Sequence, residues 1–168
     1  MKRRMRLLLV AFLGAMALLV GTVGAPAMAV ENGGTTTLGT QAAGNTVRSN
    51  MNGKCLEVLS WTNYNGAPAG MWDCHGGTNQ QWVFTAAGEL RSVWNGKCLE
   101  ILGFNNNNGA AVGLWDCTGG SNQKWYSLGA DIRSLQNSKC LEILNYDNNN
   151  GAPVGMWDCY IGGNQLWY

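Results

Sequence analysis

Three segments of the chain carry the same potentially reactive side chains at the same spacing. In each segment two cysteines stand 19 positions apart, and a tryptophan follows 8 positions after the second. An acid, an indole and a carboxamide recur at equivalent places among these residues. They are Glu57, Trp72 and Asn79; Glu100, Trp115 and Asn122; and Glu142, Trp157 and Asn164.

This set of side chains suits a ligand with both hydroxyl groups and an apolar ring face. A carboxylate accepts the protons of two neighbouring hydroxyls through charge-assisted hydrogen bonds, and an amide both donates and accepts. A flat indole covers the apolar C–H face of a sugar ring. We therefore interpret each set as a candidate sugar pocket. The glutamine after each asparagine is expected to orient its amide from behind (Gln80, Gln123 and Gln165).

An enzyme is a second interpretation of the acids. Glu57 and Asp73 could act as the acid pair of a glycosidase. Catalysis, however, normally uses one cleft with two carboxylates in unequal environments, whereas every acid here occurs in triplicate. His75 is the lone histidine, so a Ser/His/Asp arrangement is excluded. We predict no catalytic residues, and interpret the aspartates before the second cysteines as turn caps or partners of lysines (Asp73 with Lys54, Asp116 with Lys97, Asp158 with Lys139).

The sequence pattern around these side chains predicts short β-strands. The segments repeat after 43 and then 42 residues, and such a period indicates a repeat architecture. In the first repeat, Leu56 and Val58 alternate with Cys55 and Glu57, and Met71 is inward where Trp72 is outward. Loops rich in Asn and Gly separate the runs. The pattern predicts four strands per repeat, twelve in all, and no helical period.

The tryptophans of the Gln-x-Trp pattern are predicted to lie in a common core. Each follows a glutamine that could tie strand to loop by buried hydrogen bonds. The first and third repeats are as apolar as the middle one, whereas an open array needs polar repeats at its ends. We therefore expect closure around a three-fold axis over a core that contains Trp82, Trp125 and Trp167.

At this point the residues resemble a known family. Three repeats with Cys-Leu-acid, an Asn/Gly loop, Trp-Asp-Cys and Asn-Gln-x-Trp are similar to the ricin-B-type lectins, which are also counted as carbohydrate-binding modules. The resemblance covers residues 47–168. It implies an all-β fold, a β-trefoil of pseudo-three-fold symmetry with repeats 47–89, 90–131 and 132–168, and one potential sugar pocket per repeat.

The resemblance adds contacts and also reveals two departures. His75 occupies a position that contacts sugar in some similar modules, and Thr118 and Tyr160 are its counterparts, so the three pockets should differ; we include His75 and Tyr160 among the candidate sugar contacts. The family usually has Asp where this chain has Glu57, Glu100 and Glu142. Many members also place a polar side chain where this chain has Gly70, Gly113 and Gly155. These departures indicate either a pocket reshaped for another ligand or structural acids.

The six cysteines come as two per repeat. Two schemes respect the symmetry: pairing within a repeat, or pairing of each second cysteine with the first of the next repeat. Both the hairpin that the cysteines flank and the family resemblance favour the first scheme. We predict Cys55–Cys74, Cys98–Cys117 and Cys140–Cys159. Structural zinc needs closely spaced cysteine pairs, which the sequence lacks, and no metal or cofactor is expected.

The first residues have the features of a secretory signal. A basic start and an apolar run end at Ala27-Met28-Ala29, which predicts a signal peptide over 1–29 and a mature start at Val30. A retained membrane anchor and cleavage after Ala27 are the alternatives, and Arg3-Arg4 leaves Sec and twin-arginine export open. Residues 30–46 read as a flexible arm.

Removal of the signal leaves seven basic residues against ten acidic ones. A weakly acidic chain has no electrostatic footprint for nucleic acid or anionic membranes. We expect a secreted monomer that binds glycans or polysaccharide.

A protein-binding trefoil, such as a protease inhibitor or adhesion partner, is the alternative function. An inhibitor would present one distinctive loop, and here only Trp61 and Tyr64 set one loop apart. The outward tryptophans have an alternative role as well, which is to cover the disulfides.

Overall fold

A computed structural model describes residues 43–168. The predicted signal peptide and residues 30–42 of the predicted arm lie outside this range. Eleven strands occur within it: β1 (Asn45–Thr46), β2 (Cys55–Val58), β3 (Ala67–Trp72), β4 (Gln81–Phe84), β5 (Leu90–Ser92), β6 (Cys98–Ile101), β7 (Ala110–Trp115), β8 (Trp125–Leu128), β9 (Asp131–Ser134), β10 (Cys140–Ile143) and β11 (Ala152–Trp157).

Each repeat is built around one antiparallel hairpin in the same register. In the first repeat β2 pairs with β3, so that Leu56 lies opposite Met71 and Glu57 opposite Gly70. The hairpins β6–β7 and β10–β11 repeat this pairing. Because side chains alternate along a strand, the leucine and methionine face the core, while the glutamate and Trp72 lie on the other side.

The three hairpins meet in a closed cycle. Strand β3 pairs with β7, β7 with β11, and β11 with β3, through the contacts Ala67–Leu114, Ala110–Met156 and Ala152–Met71. This arrangement is an all-β trefoil, as the sequence predicted. Ten of the twelve expected strands form, and β1 is additional to them. The first expected strand (47–49) and the last (166–167) are present only as isolated bridges of Arg48 with Cys55, Ser49 with Trp167 and Leu166 with Asp131.

The tryptophans of the Gln-x-Trp pattern lie in the core, as predicted. Trp82, Trp125 and Trp167 are buried. Their indole nitrogens donate to the carbonyls of Leu56, Leu99 and Leu141 at 2.9, 3.0 and 3.1 Å. Each ring therefore fills the interior and also satisfies a buried carbonyl of the strand that carries the glutamate.

The disulfides form within repeats, which confirms the predicted pairing. Cys55–Cys74, Cys98–Cys117 and Cys140–Cys159 have Cα–Cα separations of 5.2, 5.2 and 5.1 Å. Glu89 lies near Cys98 and Cys117, but disulfide sulfurs are not thiolates and do not supply metal ligands.

Each repeat is also joined to another by a lysine, an aspartate and an asparagine, which we call a clamp. Lys97 bonds to Asp116 at 2.6 Å, and Asn65 from the first repeat accepts from Lys97 and donates to Asp116. The other two clamps are Lys54, Asp73 and Asn150, and Lys139, Asp158 and Asn108. The predicted lysine–aspartate pairs are thus confirmed, and an asparagine from a different repeat completes each one.

The start of the ordered fold differs from the expected boundary at residue 47. Asn45 and Thr46, assigned to the flexible arm from the sequence, pair with Trp82 and Gln81 of β4. The polar composition of this stretch concealed its backbone pairing. Within residues 43–168, no helix has the length and apolar character needed to cross a membrane.

Candidate functional site

The three glutamates are buried side chains held by the glutamines of the Gln-x-Trp pattern. Gln80, Gln123 and Gln165 each donate through Nε2 to one carboxylate oxygen at 2.7 Å. The expectation was that the glutamines would orient the asparagines; they contact the glutamates instead. The same Nε2 donates to the carbonyl of the aspartate before the second cysteine. Each glutamine therefore fixes one glutamate relative to the loop beside it.

The three asparagines are buried and offer an acceptor. Their Nδ2 groups donate to the carbonyls of Val58, Ile101 and Ile143 at 3.3, 3.2 and 3.1 Å. This bond turns each Oδ1 away from the strand. In Asn79 and Asn122, Oδ1 has no hydrogen-bond partner among the described residues. In Asn164 it accepts from the Tyr160 hydroxyl at 3.1 Å.

The outward tryptophans are solvent-exposed at all three places. Trp72, Trp115 and Trp157 keep 40%, 38% and 38% of their surface accessible. Each lies opposite the first cysteine of its repeat in the hairpin register. Their orientation is as predicted, and a partly exposed indole is available for stacking.

An aromatic residue at the end of a tight turn is a second member of the site that the sequence interpretation missed. Trp61, Phe104 and Tyr146 each close a short 3-10 turn and are exposed. Their φ angles are +55°, +53° and +52°, a conformation that is rare and costly for bulky residues. An aromatic six positions after the first cysteine recurs in all three repeats. That triplicate spacing was the available sequence indication.

The predicted side chains come together around a cavity in the second repeat. A cavity of about 270 Å³ is lined by Glu100, Gly103, Phe104, Trp115, Thr118 and Asn122. The acid, the asparagine and two aromatic rings thus line one space, and the asparagine oxygen is buried beside it. We call this the second pocket, and the equivalent residues of the other repeats the first pocket (Glu57, Trp61, Trp72, His75 and Asn79) and the third pocket (Glu142, Tyr146, Trp157, Tyr160 and Asn164).

In the first pocket, His75 is bonded to the acid. Its Nδ1 accepts from the Gly77 backbone N–H at 3.2 Å, so the ring proton of the neutral form is on Nε2. Nε2 lies 3.1 Å from Glu57 Oε2 and donates to it. His75 therefore gives the Glu57 oxygen that accepts from Gln80 a second donor.

In the third pocket, Tyr160 covers the amide. Besides its bond to Asn164, the hydroxyl lies beside Tyr146, and burial together with that neighbour raises the pKa of Tyr160 to about 12. A Cβ placed on Gly162 would lie 2.4 Å from the Tyr160 ring. The glycine thus permits the ring to fold back over Asn164.

The glycines that replace a polar residue of the family are explained by packing. A Cβ on Gly70, Gly113 or Gly155 would lie 2.8 Å from a backbone oxygen of the neighbouring repeat, those of Ala152, Ala67 and Ala110. A leucine from the same repeat fills the remaining space. The closed cycle of hairpins therefore leaves no room for a side chain here.

The fold and the repeated clusters define this chain as a three-repeat β-trefoil. It belongs to the family described as the ricin-type beta-trefoil lectin domain, whose model matches residues 43–167. No relative among the curated proteins matches the chain.

Solved structures show the same fold. A designed three-fold symmetric protein, ThreeFoil, is 29% identical with a TM-score of 0.68, over 73% of this chain and 94% of that one. The C-half of an earthworm R-type lectin, in complex with GalNAc, is 23% identical with a TM-score of 0.63, over 73% and 94%. An exo-beta-1,3-galactanase from Clostridium thermocellum is 24% identical with a TM-score of 0.69, over 76% of this chain but 30% of its own length.

Proposed function

We propose that this chain is a secreted, monomeric, non-catalytic carbohydrate-binding protein that engages glycans through its first and second pockets. The observation that carries this proposal is the pair of buried, unpartnered amide oxygens, Asn79 Oδ1 and Asn122 Oδ1. A buried acceptor without a donor costs about 1–3 kcal/mol. Each oxygen is buried beside Gly77 or Gly120, so a ligand hydroxyl supplies the missing donor and regains that free energy once this glycine loop shifts.

The surroundings of these oxygens suit a sugar. In the second pocket, Glu100 offers a carboxylate for neighbouring hydroxyls, and Phe104 and Trp115 offer apolar ring faces. The membership in a lectin family and the GalNAc and 6'-sialyllactose that accompany two earthworm lectin structures support the same ligand class. Two pockets on one chain would raise avidity for a polysaccharide without new contacts.

The third pocket is proposed to be closed. Up to three pockets were expected from the sequence, but Tyr160 already donates to Asn164 Oδ1. Its hydroxyl stands where a ligand hydroxyl would donate in the other pockets. A sugar would have to displace the ring and replace a bond that is already made, so the third pocket gains less from binding.

The acids support binding rather than catalysis. Asp73 is engaged by Lys54 and Asn150, whereas Glu57 is engaged by Gln80 and His75. The two carboxylates of the conceivable acid pair are thus committed to separate networks. We infer that they are structural or ligand-binding groups. Release of reducing ends from any glycan would contradict this.

Isothermal titration against a glycan panel tests the function. The panel contains N-acetylgalactosamine, 6'-sialyllactose, β-1,3-galactan and plant, fungal and bacterial wall glycans. We expect the protein to bind at least one of these glycans. The substitution Trp115→Ala should weaken binding at the second pocket at least tenfold. The matched control is Leu135→Ala, an exposed apolar residue outside the pockets, which should leave affinity unchanged. An absence of binding to every glycan would refute the proposal.

An exchange of side chains between repeats tests the number of working pockets. Tyr160→Thr copies the second repeat into the third and should raise the stoichiometry from two to three. Thr118→Tyr copies the third repeat into the second and should lower it to one. A stoichiometry of three in the unaltered protein would show that Tyr160 does not close its pocket.

Export and oligomeric state have simple tests. Amino-terminal sequencing of the protein from the culture medium should begin at Val30. Sedimentation equilibrium should return the mass of one chain.

A further inference from the structure

Two exposed indoles form a corner beside the first pocket. Trp61 and Trp94 lie with ring centroids 4.9 Å apart and planes at 88°. Both stay exposed despite this contact, at 44% and 40%. Large apolar side chains that remain accessible together mark an interaction surface.

The corner is continuous with the first pocket. Trp61 holds the position that Phe104 holds in the wall of the second pocket. Its ring centroid lies 6.4 Å from that of His75, whose Nε2 donates to Glu57. A path of exposed ring surface therefore leads from the acid, past His75 and Trp61, to Trp94.

The corner is held in place by polar contacts that do not use the rings. Asn95, next to Trp94, donates to the Thr62 carbonyl just after the Trp61 turn at 3.4 Å, and its Oδ1 accepts from the Lys97 amide. The left-handed backbone at Trp61 fixes the other side. The backbone at Trp61 and the Asn95 side chain therefore position both indoles, each of which stays partly exposed.

The other two repeats lack the second indole. The position of Trp94 is taken by Met51, which packs against the core, and by Gln136. Gln136 donates to the Phe104 carbonyl at 3.1 Å and to Asn106 Oδ1 at 2.6 Å. A polar side chain tied to backbone replaces the ring beside the second pocket, so the corner distinguishes the first pocket.

We propose that the Trp61–Trp94 corner is a second sugar subsite, so that the first pocket binds two or more linked sugars of a glycan chain. This inference rests on the proposed function and names the ligand class of one pocket. The two perpendicular rings offer one face and one edge to the C–H surface of a sugar. The sugar in the pocket bonds to Glu57 and Asn79, and the next sugar along the chain stacks in the corner.

Binding of a fragment series tests the subsite. The probes are galactose, β-1,3-galactobiose and β-1,3-galactotriose, or the one-, two- and three-sugar fragments of whichever panel glycan binds best. In the unaltered protein, the first pocket should bind the two-sugar fragment about tenfold more tightly than the single sugar, which corresponds to 1.4 kcal/mol. The second pocket should show no such increase. Trp94→Gln, which copies Gln136, should abolish this rise and leave single-sugar affinity unchanged.

The reciprocal variant is the matched control. Gln136→Trp places an indole beside Phe104 and should create the same dependence on chain length at the second pocket. Melting temperatures check that both variants fold. We expect them to fold, because positions 94 and 136 are equivalent in two repeats and each variant places there the side chain of the other repeat. If single sugars bind but affinity does not rise with length, or if Trp94→Gln leaves the rise intact, the subsite is refuted and the lectin function stands. If no glycan binds, both fall.

Discussion

Replacement of Gln123 by leucine should destabilise the fold through the acid it supports. Gln123 Nε2 donates to Glu100 at 2.7 Å and to the Asp116 carbonyl at 2.9 Å. Its Oε1 accepts from the backbone amides of Thr118 and Gly119. Leucine is of similar size and makes none of these bonds, so the change isolates the polar contribution.

The expected loss follows from burial. The contact with Glu100 is buried, and removing a hydrogen bond to a charged group costs about 1.5–3 kcal/mol. The remaining bonds are partly exposed, so water replaces them at a cost of about 1 kcal/mol in total. We therefore expect Gln123→Leu to lower the free energy of unfolding by about 2.5–4 kcal/mol.

Urea unfolding followed by circular dichroism, with disulfides intact, measures this loss. Gln81→Leu is the matched control: it removes one exposed bond to the Gly76 carbonyl and should cost less than about 0.5 kcal/mol. The loss in the double variant Glu100→Leu/Gln123→Leu should be smaller than the sum of the two single losses by at least about 1 kcal/mol, because the buried carboxylate and its amide donor are then removed together. A loss below about 1 kcal/mol for Gln123→Leu, or a loss equal to that of the control, would refute the reasoning.

The disulfides, the clamps and Tyr160 each have a measurable effect on stability or titration. Removal of the Cys98–Cys117 disulfide by a double serine substitution should cost about 3 kcal/mol of unfolding free energy, and removal of Cys55–Cys74 should cost as much, since both close loops of equal length; a large inequality would contradict this. A hydrogen bond from the clamp lysine, and then one from the clamp asparagine, lowers the pKa of Asp73, Asp116 and Asp158, so their stabilisation is present above the unfolded pKa of about 3.9 and is lost as the pH falls through the folded value. The melting temperature should therefore decrease as the pH is lowered below about 4. The decrease should be smaller in the triple Asp→Asn variant, and an equal decrease in both proteins would count against the clamps. Ultraviolet titration should show one tyrosine ionising near pH 12, absent in Tyr160→Phe; ionisation of every tyrosine near pH 10 would exclude the covered hydroxyl.

The sequence predicted the features that depend on repetition and alternation. The period, the hairpin faces of Met71 and Trp72, the disulfides and the core position of Trp82 all follow from spacing. They could be predicted because a residue type repeated in triplicate restricts the structure to arrangements that satisfy all three copies.

Features that depend on side-chain geometry were not accessible. The glutamines were expected behind the asparagines, but only coordinates reveal that Gln80 reaches Glu57. The position of Tyr160 predicts a sugar contact, but its hydrogen bond to Asn164 Oδ1 depends on a side-chain rotamer that the sequence does not specify. The sequence marks Trp61 only as a distinctive loop residue. Its positive φ angle could not be predicted, because the alternation of apolar and polar residues indicates strands and not the conformation of a turn.

The clamps have a consequence for how such a chain can be divided. Asn65 of the first repeat bonds to the aspartate of the second, Asn108 of the second to that of the third, and Asn150 of the third to that of the first. Every repeat therefore contributes one asparagine to another repeat and receives one from the remaining repeat. A fragment of one or two repeats would therefore lack the clamp asparagine that a removed repeat supplies. A lone unit of about 42 residues could satisfy all of its contacts only as a ring of three identical copies, and one excised unit supplied in trans should restore a two-unit fragment.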